Sequence, residues 1–386
     1  MRINLSAVTL GLALAFGAST AMAASATITI NQPGSVNSAE AVQQNSGLGI
    51  NTATVNQLGD HNTGKISQNG NASYATATIT ENTGANGNNS TITQTGNSGA
   101  IGNTQNWGSH NTSSIAQVNV DGAYGVVYQN GNANIGAIDQ SNGSNQSATI
   151  NLNTYGGHGS NNNAAITQVG VNQNATVEQN GATHGSAVID QNRGYSPLFG
   201  YDTASITDSG NHDSSYISQV GGSSSGYYNA ATVDQSGAGH TANISQDGYS
   251  DQATVLQTGF GNRADVSQLS GTYQKAIVTQ SGAFNLAQVD QADSGGDKAI
   301  VTQTGTGEAA FISQSNSYMQ PQTATVTQSG VLELARVNQS GLSQTATVTQ
   351  SGILNTALVT QTSTAASGIA TINQSGFGNL AVATQM

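Results

Sequence analysis

The chain has no cysteine, three prolines and one tryptophan in 386 residues, and only 7% of its residues are charged. Without cysteine, a chain of this size cannot be stapled by disulfides, so its stability must come from another source. Seven Lys and Arg stand against nineteen Asp and Glu, a net charge of −12. That balance excludes a basic nucleic-acid surface and suits a protein kept soluble during export. Long apolar runs are confined to the start. Arg2 precedes an apolar stretch from Leu5 to Phe16, and Ala21-Met22-Ala23 follows. Residues 1–23 therefore read as a signal peptide cleaved after Ala23. No later segment approaches the ~20 apolar residues that cross a bilayer, so no transmembrane segment is expected after its removal.

What is abundant is small and polar: 48 glycines, with many Asn, Gln, Ser and Thr. Composition of this kind fits disorder, but its order along the chain does not. One unit recurs, Ala-x-Val/Ile-x-Gln-x-Gly, anchored in the C-terminal part at Gln235, Gln246, Gln257, Gln268, Gln280, Gln291, Gln303, Gln314, Gln328, Gln339, Gln350, Gln361, Gln374 and Gln385. Most steps are eleven or twelve residues. Earlier copies sit at Gln57, Gln68, Gln94, Gln117, Gln129, Gln140, Gln168, Gln179, Gln191 and Gln219, with Glu81 or Asp208 sometimes in the glutamine slot. Repeats at a fixed short period are the mark of a stacked architecture.

Each unit alternates with period two around β-branched residues, which predicts a strand, and the following glycine predicts a tight turn. Ala, Val/Ile and Gln share one side of that strand. Charges test the parity: Lys65, Asp139, Glu178, Asp190, Asp234, Asp265, Asp290 and Arg336 all take the other side, leaving Glu81 and Asp208 as the exceptions. Pro33, Pro197 and Pro321 lie outside the units, as a ladder strand requires. Two strands with two turns close one coil. The expected fold is all-β, a β-solenoid or flattened β-helix of about 14 two-strand coils with cross-β stacking. Stacked glutamines would donate to one neighbouring coil and accept from the other. Residues 153–164, 192–202, 223–229 and 315–323 break the register and read as loops or bulges.

Motifs for chemistry are weak. Gly259-x-Gly261-x-x-Ala264 has dinucleotide-turn spacing, but it recurs at Gly376-x-Gly378-x-x-Ala381 within the repeat and no helix signal follows. His61, His110, His158, His184, His212 and His240 stand singly and read as exposed loop residues rather than metal ligands. The acids read as scattered over a wet face, without the paired carboxylates of acid–base catalysis. No catalytic, cofactor or metal residue is assigned, and the chain is not expected to be an enzyme. Loop aromatics, Tyr195, Phe199, Tyr201, Tyr227 and Tyr228, read as cover for bulges.

Gln257-x-Gly259-x-x-Asn262-x-Ala264-x-x-x-Gln268 resembles the curlin-associated repeat of curli subunits. The pattern recurs from Gln280 through Asn285 to Gln291, from Gln350 through Asn355 to Gln361, and from Gln374 through Asn379 to Gln385. The resemblance implies a secreted subunit that polymerises with itself into extracellular, cell-surface amyloid fibres, pilus-like in role, for adhesion and biofilm matrix. It also implies a nucleating curlin-like subunit and an outer-membrane export channel as partners. The ladder and self-assembly residues are then Gln257, Asn262, Gln268, Gln280, Asn285, Gln291, Gln303, Gln328, Gln339, Gln350, Asn355, Gln361, Gln374, Asn379 and Gln385. Residues 24–50 read as an N-terminal, export-related segment, 51–230 as irregular repeats with insertions, and 231–386 as regular repeats.

A rival from another class is a monomeric surface-binding or ice-binding β-solenoid. Thr325/Thr327 and Thr347/Thr349 would stack as a threonine grid, kept short by Thr371/Asn373 on the next coil and by the outward Asp265, Arg336 and Leu358 of other strands.

Overall fold

β-Branched residues alternating with period two favour strands over helix. In the computed structural model, residues 26–44, 49–70, 72–153, 160–193, 201–221, 228–293, 295–316, 320–362 and 367–386 are described. They hold thirty strands and no helix. The expected signal peptide and Pro197 lie outside these residues. Thirty strands make fifteen two-strand coils, one more than expected, because residues set aside at the N-terminal end also form strands, Ala26–Asn31 and Ser38–Gln43.

The chain divides into two units, Met1–Thr183 and His184–Met386. In the first, alternate strands pair in parallel: Ala26–Asn31 with Asn51–Gln57, and Ser38–Gln43 with Thr63–Asn69. The alternation continues to Asn163–Val171 in one sheet and Asn174–Asn180 in the other. In the second unit, Gln252–Phe260, Lys275–Ala283, Lys298–Gln303, Thr323–Val331, Thr345–Ile353 and Ile369–Phe377 follow one another in one sheet. Thr241–Tyr249, Arg263–Thr272, Leu286–Ala292, Ala309–Ser315, Leu334–Ser340, Thr356–Gln361 and Leu380–Gln385 do so in the other. Each unit is therefore a β-solenoid of two parallel sheets. A parallel neighbour normally needs a long crossover; here the strand of the opposite sheet is the crossover.

The parity reading holds. Ala276, Val278 and Gln280 are buried on one strand, and so are Ala324, Val326 and Gln328 on a later one. Ile66, Ile92, Ile115, Ile138 and Ile166 stack in the first unit, as do Ile217 and Ile244 in the second. Each such side chain contributes about 1.5–3 kcal/mol by leaving water, and it touches only adjacent coils.

The turns use left-handed backbone. The residue before most inward polar turn residues has positive φ. It is glycine at Gly261 (φ 64) and Gly378 (φ 67), but Phe284 (φ 56), Leu332 (φ 55) and Leu354 (φ 60) elsewhere. A bulky side chain there costs about 1–2 kcal/mol relative to glycine. The structure also lengthens the threonine grid. Thr279, Thr302, Thr327 and Thr349 fall in one column, with Thr325, Thr347 and Thr371 beside it. Asp265, Arg336 and Leu358 belong to the opposite sheet and do not interrupt it.

Candidate functional site

Inside each unit the glutamines form two columns, one per sheet. In the second unit Gln235, Gln257, Gln280, Gln303, Gln328, Gln350 and Gln374 are joined by Nε2–H···Oε1 bonds of 2.7–2.9 Å. The other column runs Gln191, Gln219, Gln246, Gln268, Gln291, Gln314, Gln339, Gln361 and Gln385, at 2.5–2.9 Å. In the first unit Gln43, Gln68, Gln94, Gln117, Gln140 and Gln168 do the same. Each amide also donates across the coil to a carbonyl at the start of the opposite strand, as Gln280 does to Arg263 at 2.9 Å and Gln303 to Leu286 at 3.0 Å. Both N–H groups and the oxygen are thereby used, which is what allows a polar column to lie in a core. Every link points the same way: the nitrogen donates toward the next coil and the oxygen accepts from the previous one.

A second set of columns lines the turns. Asn262 Nδ2 donates to the Thr258 and Gly282 carbonyls at 2.9 and 3.3 Å, and its Oδ1 accepts the Asn285 backbone N–H at 3.0 Å. Asn285 repeats this with Ser281, Gly305 and Glu308, and Asn355 with Ser351, Gly376 and Asn379. Gln322 serves the same place, donating to Ser315 and Gly341 at 3.0 and 2.7 Å. In the first unit Asn62, Asn88, Asn111, Asn134 and Asn162 link through backbone N–H to Oδ1 bonds. Asn379 is exposed and Gln385 half-buried, because the coil that carries them is covered on one side.

Two expectations need correction here. His240 is not an exposed loop residue: it occupies an asparagine slot and is fully buried. Its Nδ1 accepts the Asn262 N–H at 3.2 Å and its Nε2 lies 3.2 Å from the Ser236 oxygen, so a neutral ring protonated at Nε2 reproduces the asparagine pattern. His61, His110, His184 and His212 are exposed as expected, each at a left-handed turn position, and His184 stacks on His212 at 4.8 Å. His158 lies outside the described residues. Nor are the acids all on a wet face. Asp202, Asp213, Asp251, Asp297, Glu308 and Glu333 are buried in turn slots. Strand parity does not reach these positions, since they lie in turns and fold inward. The spacing Gly-x-x-slot, as in Gly237 to His240 and Gly330 to Glu333, was the available signal.

Glu308 and Glu333 stack on successive coils. Glu308 accepts the Gly305 and Gly330 N–H groups at 3.1 and 2.6 Å. Glu333 accepts from Ser329 and from Asn355 Nδ2, at 3.2 and 3.1 Å. Burial raises both carboxyls above the usual range, with those donors opposing. In the first unit Glu81 and Asn106 replace glutamine in one column. Ser90 and Ser113 stand in alanine positions, and Ser90 donates to Glu81 while Asn106 Nδ2 bonds Ser90 Oγ at 2.8 Å. Burial pushes Glu81 up to about 7, the bonds from Ser90, Asn106 and Asn88 holding it down. Leu152 interrupts the same column opposite Gln129. Asn106 and Leu152 escaped the sequence reading because their units lack the glutamine that marks the others.

Aromatics pair between coils at the turn edges, Phe260 with Phe284 at 5.2 Å and Tyr201 with Tyr228 at 5.7 Å, about half-exposed rather than sealing the core. Tyr195, Phe199 and Tyr227 lie outside the described residues. The Gly259–Ala264 motif is a turn between two strands. Among the described residues no three His, Asp or Glu side chains are grouped as metal ligands.

The curlin associated repeat matches three segments of the chain, residues 225–248, 241–269 and 322–352. These matches in the C-terminal half support a curlin-family protein, a family of structural fibre subunits rather than enzymes. No curated protein matches the chain.

Proposed function

We propose that this chain, carrying curlin associated repeats in a β-solenoid, is a secreted curli-type subunit that polymerises head to tail into extracellular fibres for adhesion and biofilm matrix. A nucleating curlin-like subunit and an outer-membrane export channel are the further partners this reading calls for. The carrying observation is the uniform direction of the glutamine columns. At the strand Ser38–Gln43 the Gln43 Oε1 is buried and accepts no hydrogen bond among the described residues. At Leu380–Gln385 the column reaches Gln385, whose Nε2 donates to the Ile369 carbonyl and has a second hydrogen to give. The last coil of the second unit thus offers a donor and the first coil of the first unit an acceptor, so a second copy joining the two fits in one orientation, as heterologous contacts that do not close require.

Backbone supplies the rest of the contact. In Leu380–Gln385 the Asn379 and Gln385 oxygens accept from Thr356 and Thr362 of the preceding coil. By alternation the Val382 amide faces away from that coil, toward an incoming strand. Purified mature chain is expected to form fibres with reflections near 4.7 and 10 Å, and Val382→Pro, which deletes one outward N–H, is expected to slow elongation. A wild-type chain that stays soluble and monomeric at micromolar concentration would contradict the proposal. The threonine columns favour one second reading, a monomeric ice-binding surface. Thermal hysteresis without fibres is its signature.

A further inference from the structure

Most amides in the turn slots do the same work: the nitrogen donates to a carbonyl earlier in the same turn, to a carbonyl of the next coil, or to both, Asn134 Nδ2 being an exception without a partner among the described residues. Asn262, Asn285, Asn355, Gln322 and Gln344 show this. The neutral His240 ring places a nitrogen at the same point. The turn therefore favours a hydrogen-bond donor there, except where N–H groups turn toward the side chain, as they do at Glu308 and Glu333.

Asp251 fills such a slot and is fully buried. Its acceptor half is in place: Asn229 Oδ1 accepts the Asp251 N–H at 3.0 Å, and Asp251 Oδ1 accepts the Gln274 N–H at 2.9 Å. Its Oδ2 lies beside Gly248, on the side of the turn where Gln146 and His240 place nitrogen beside Gly143 and Gly237, but closer to its glycine than they do. The point that a Cβ on Gly248 would occupy lies 2.1 Å from Asp251 Oδ2 and 2.8 Å from the Gly271 carbonyl oxygen. On Gly237 the corresponding point lies 2.1 Å from the Gly259 oxygen and 2.8 Å from His240 Nε2. On Gly143 it lies 1.6 Å from the Gly170 oxygen and 2.8 Å from Gln146 Nε2. Asp251 Oδ2 receives no hydrogen bond. Two oxygens facing one another in a dry turn repel unless one carries hydrogen. Asp213 repeats the arrangement, with Oδ2 2.0 Å and the Gly237 oxygen 2.7 Å from the corresponding point on Gly210.

We infer that Asp251 is carried as the neutral acid in the folded coil, its Oδ2–H donating to the Gly271 carbonyl as an asparagine would, so that this turn is closed by a proton and strained by its loss.

The groups around it agree. Burial is the main force raising Asp251, to about 7, the Gln274 N–H opposes it, and the Asp247 carboxylate of the same turn adds to the rise. The following coil brings Tyr273 and Lys275, both exposed, and the preceding coil brings Tyr228, also exposed. Among the described residues no cation contributes to the shift of Asp251. The folded state keeps the proton up to about 7, whereas an unfolded chain releases it in the usual carboxylate range. Stability from this site is therefore complete below that range and lost as pH rises through about 7. Glu308 and Glu333 differ, because backbone or amide N–H groups aim at their oxygens and satisfy the anion.

The inference rests on coil geometry and not on polymerisation. The test is guanidinium unfolding of the full mature chain and of Asp251→Asn, at about pH 3 and about pH 8. The midpoints should coincide at the acid pH, and the wild type should fall below the variant at the alkaline one. Parallel midpoints at both would overturn the inference. So would recovery of the wild-type midpoint at alkaline pH by millimolar calcium, which would put a cation where a proton is inferred. Independently of any variant's folding, infrared spectra of the wild type near pH 6 should contain the carbonyl band of a neutral carboxylic acid, reduced in Asp251→Asn. Absence of that band in the wild type would also overturn the inference.

Discussion

Gly282→Ala is expected to destabilise the second unit by on the order of 4 kcal/mol, more than removing most core methyl groups. Gly282 has φ +113, a conformation L side chains rarely adopt, and a Cβ there would lie 2.1 Å from the Gly305 carbonyl oxygen of the next coil. The obstacle is backbone and part of the stack, so relief means displacing a coil. Gly84 is the control. Its φ is +86, yet nothing lies within 4 Å of the added Cβ, so Gly84→Ala carries the backbone cost alone, about 1 kcal/mol. Denaturant midpoints of the two variants separate close stacking from local conformation. Equal losses would show that the glycines after the glutamines serve only the turn.

Gln280→Leu is the second large effect. The side chain accepts from Gln257 at 2.7 Å and donates to Gln303 at 2.8 Å and to the Arg263 carbonyl at 2.9 Å. Leucine preserves bulk but leaves a buried donor and two buried acceptors without partners, each costing about 1–3 kcal/mol, with partial relaxation bringing the sum to roughly 3–5 kcal/mol. Because each coil contacts only its neighbours, amide exchange should quicken in the strands holding Gln257 and Gln303 before distant ones. Thr279→Val, one residue away on the wet face, should change stability by less than about 0.5 kcal/mol. Comparable losses in the two variants would contradict buried glutamine columns.

Most of this architecture was legible because alternation is a strong signal. Ala276, Val278 and Gln280 share a side through period-two geometry, and Lys275 and Thr279 take the other. Fold class, strand positions and the buried face of glutamine follow from that alone. The turn slots were less legible, since parity stops where the strand stops. Asn262 was visible through its repeat, and so were the asparagine slots that Asp251 and Glu333 occupy, whereas His240 was judged by residue type, which favours water, over position, which buries it. Left-handed backbone at Phe284, Leu332 and Leu354 has no signature in those side chains; the stack imposes it. The length of the threonine columns depended on register between coils 22 to 25 residues apart, which fixes that Thr302 lies between Thr279 and Thr327. Asn106 and Leu152 show the converse, a column position kept by register after its marker residue has gone.

The account stands on amide side chains locked in one direction through a dry interior. Proton exchange at the glutamine side-chain nitrogens, followed by NMR on selectively labelled protein, reads this directly. The amides of Gln257, Gln268, Gln280 and Gln291 should exchange as slowly as the strand backbone around them, and Gln252, exposed at its strand's start, at the rate of a free amide. Uniformly rapid exchange at all five would mean that water reaches the columns and that they do not hold the coils together.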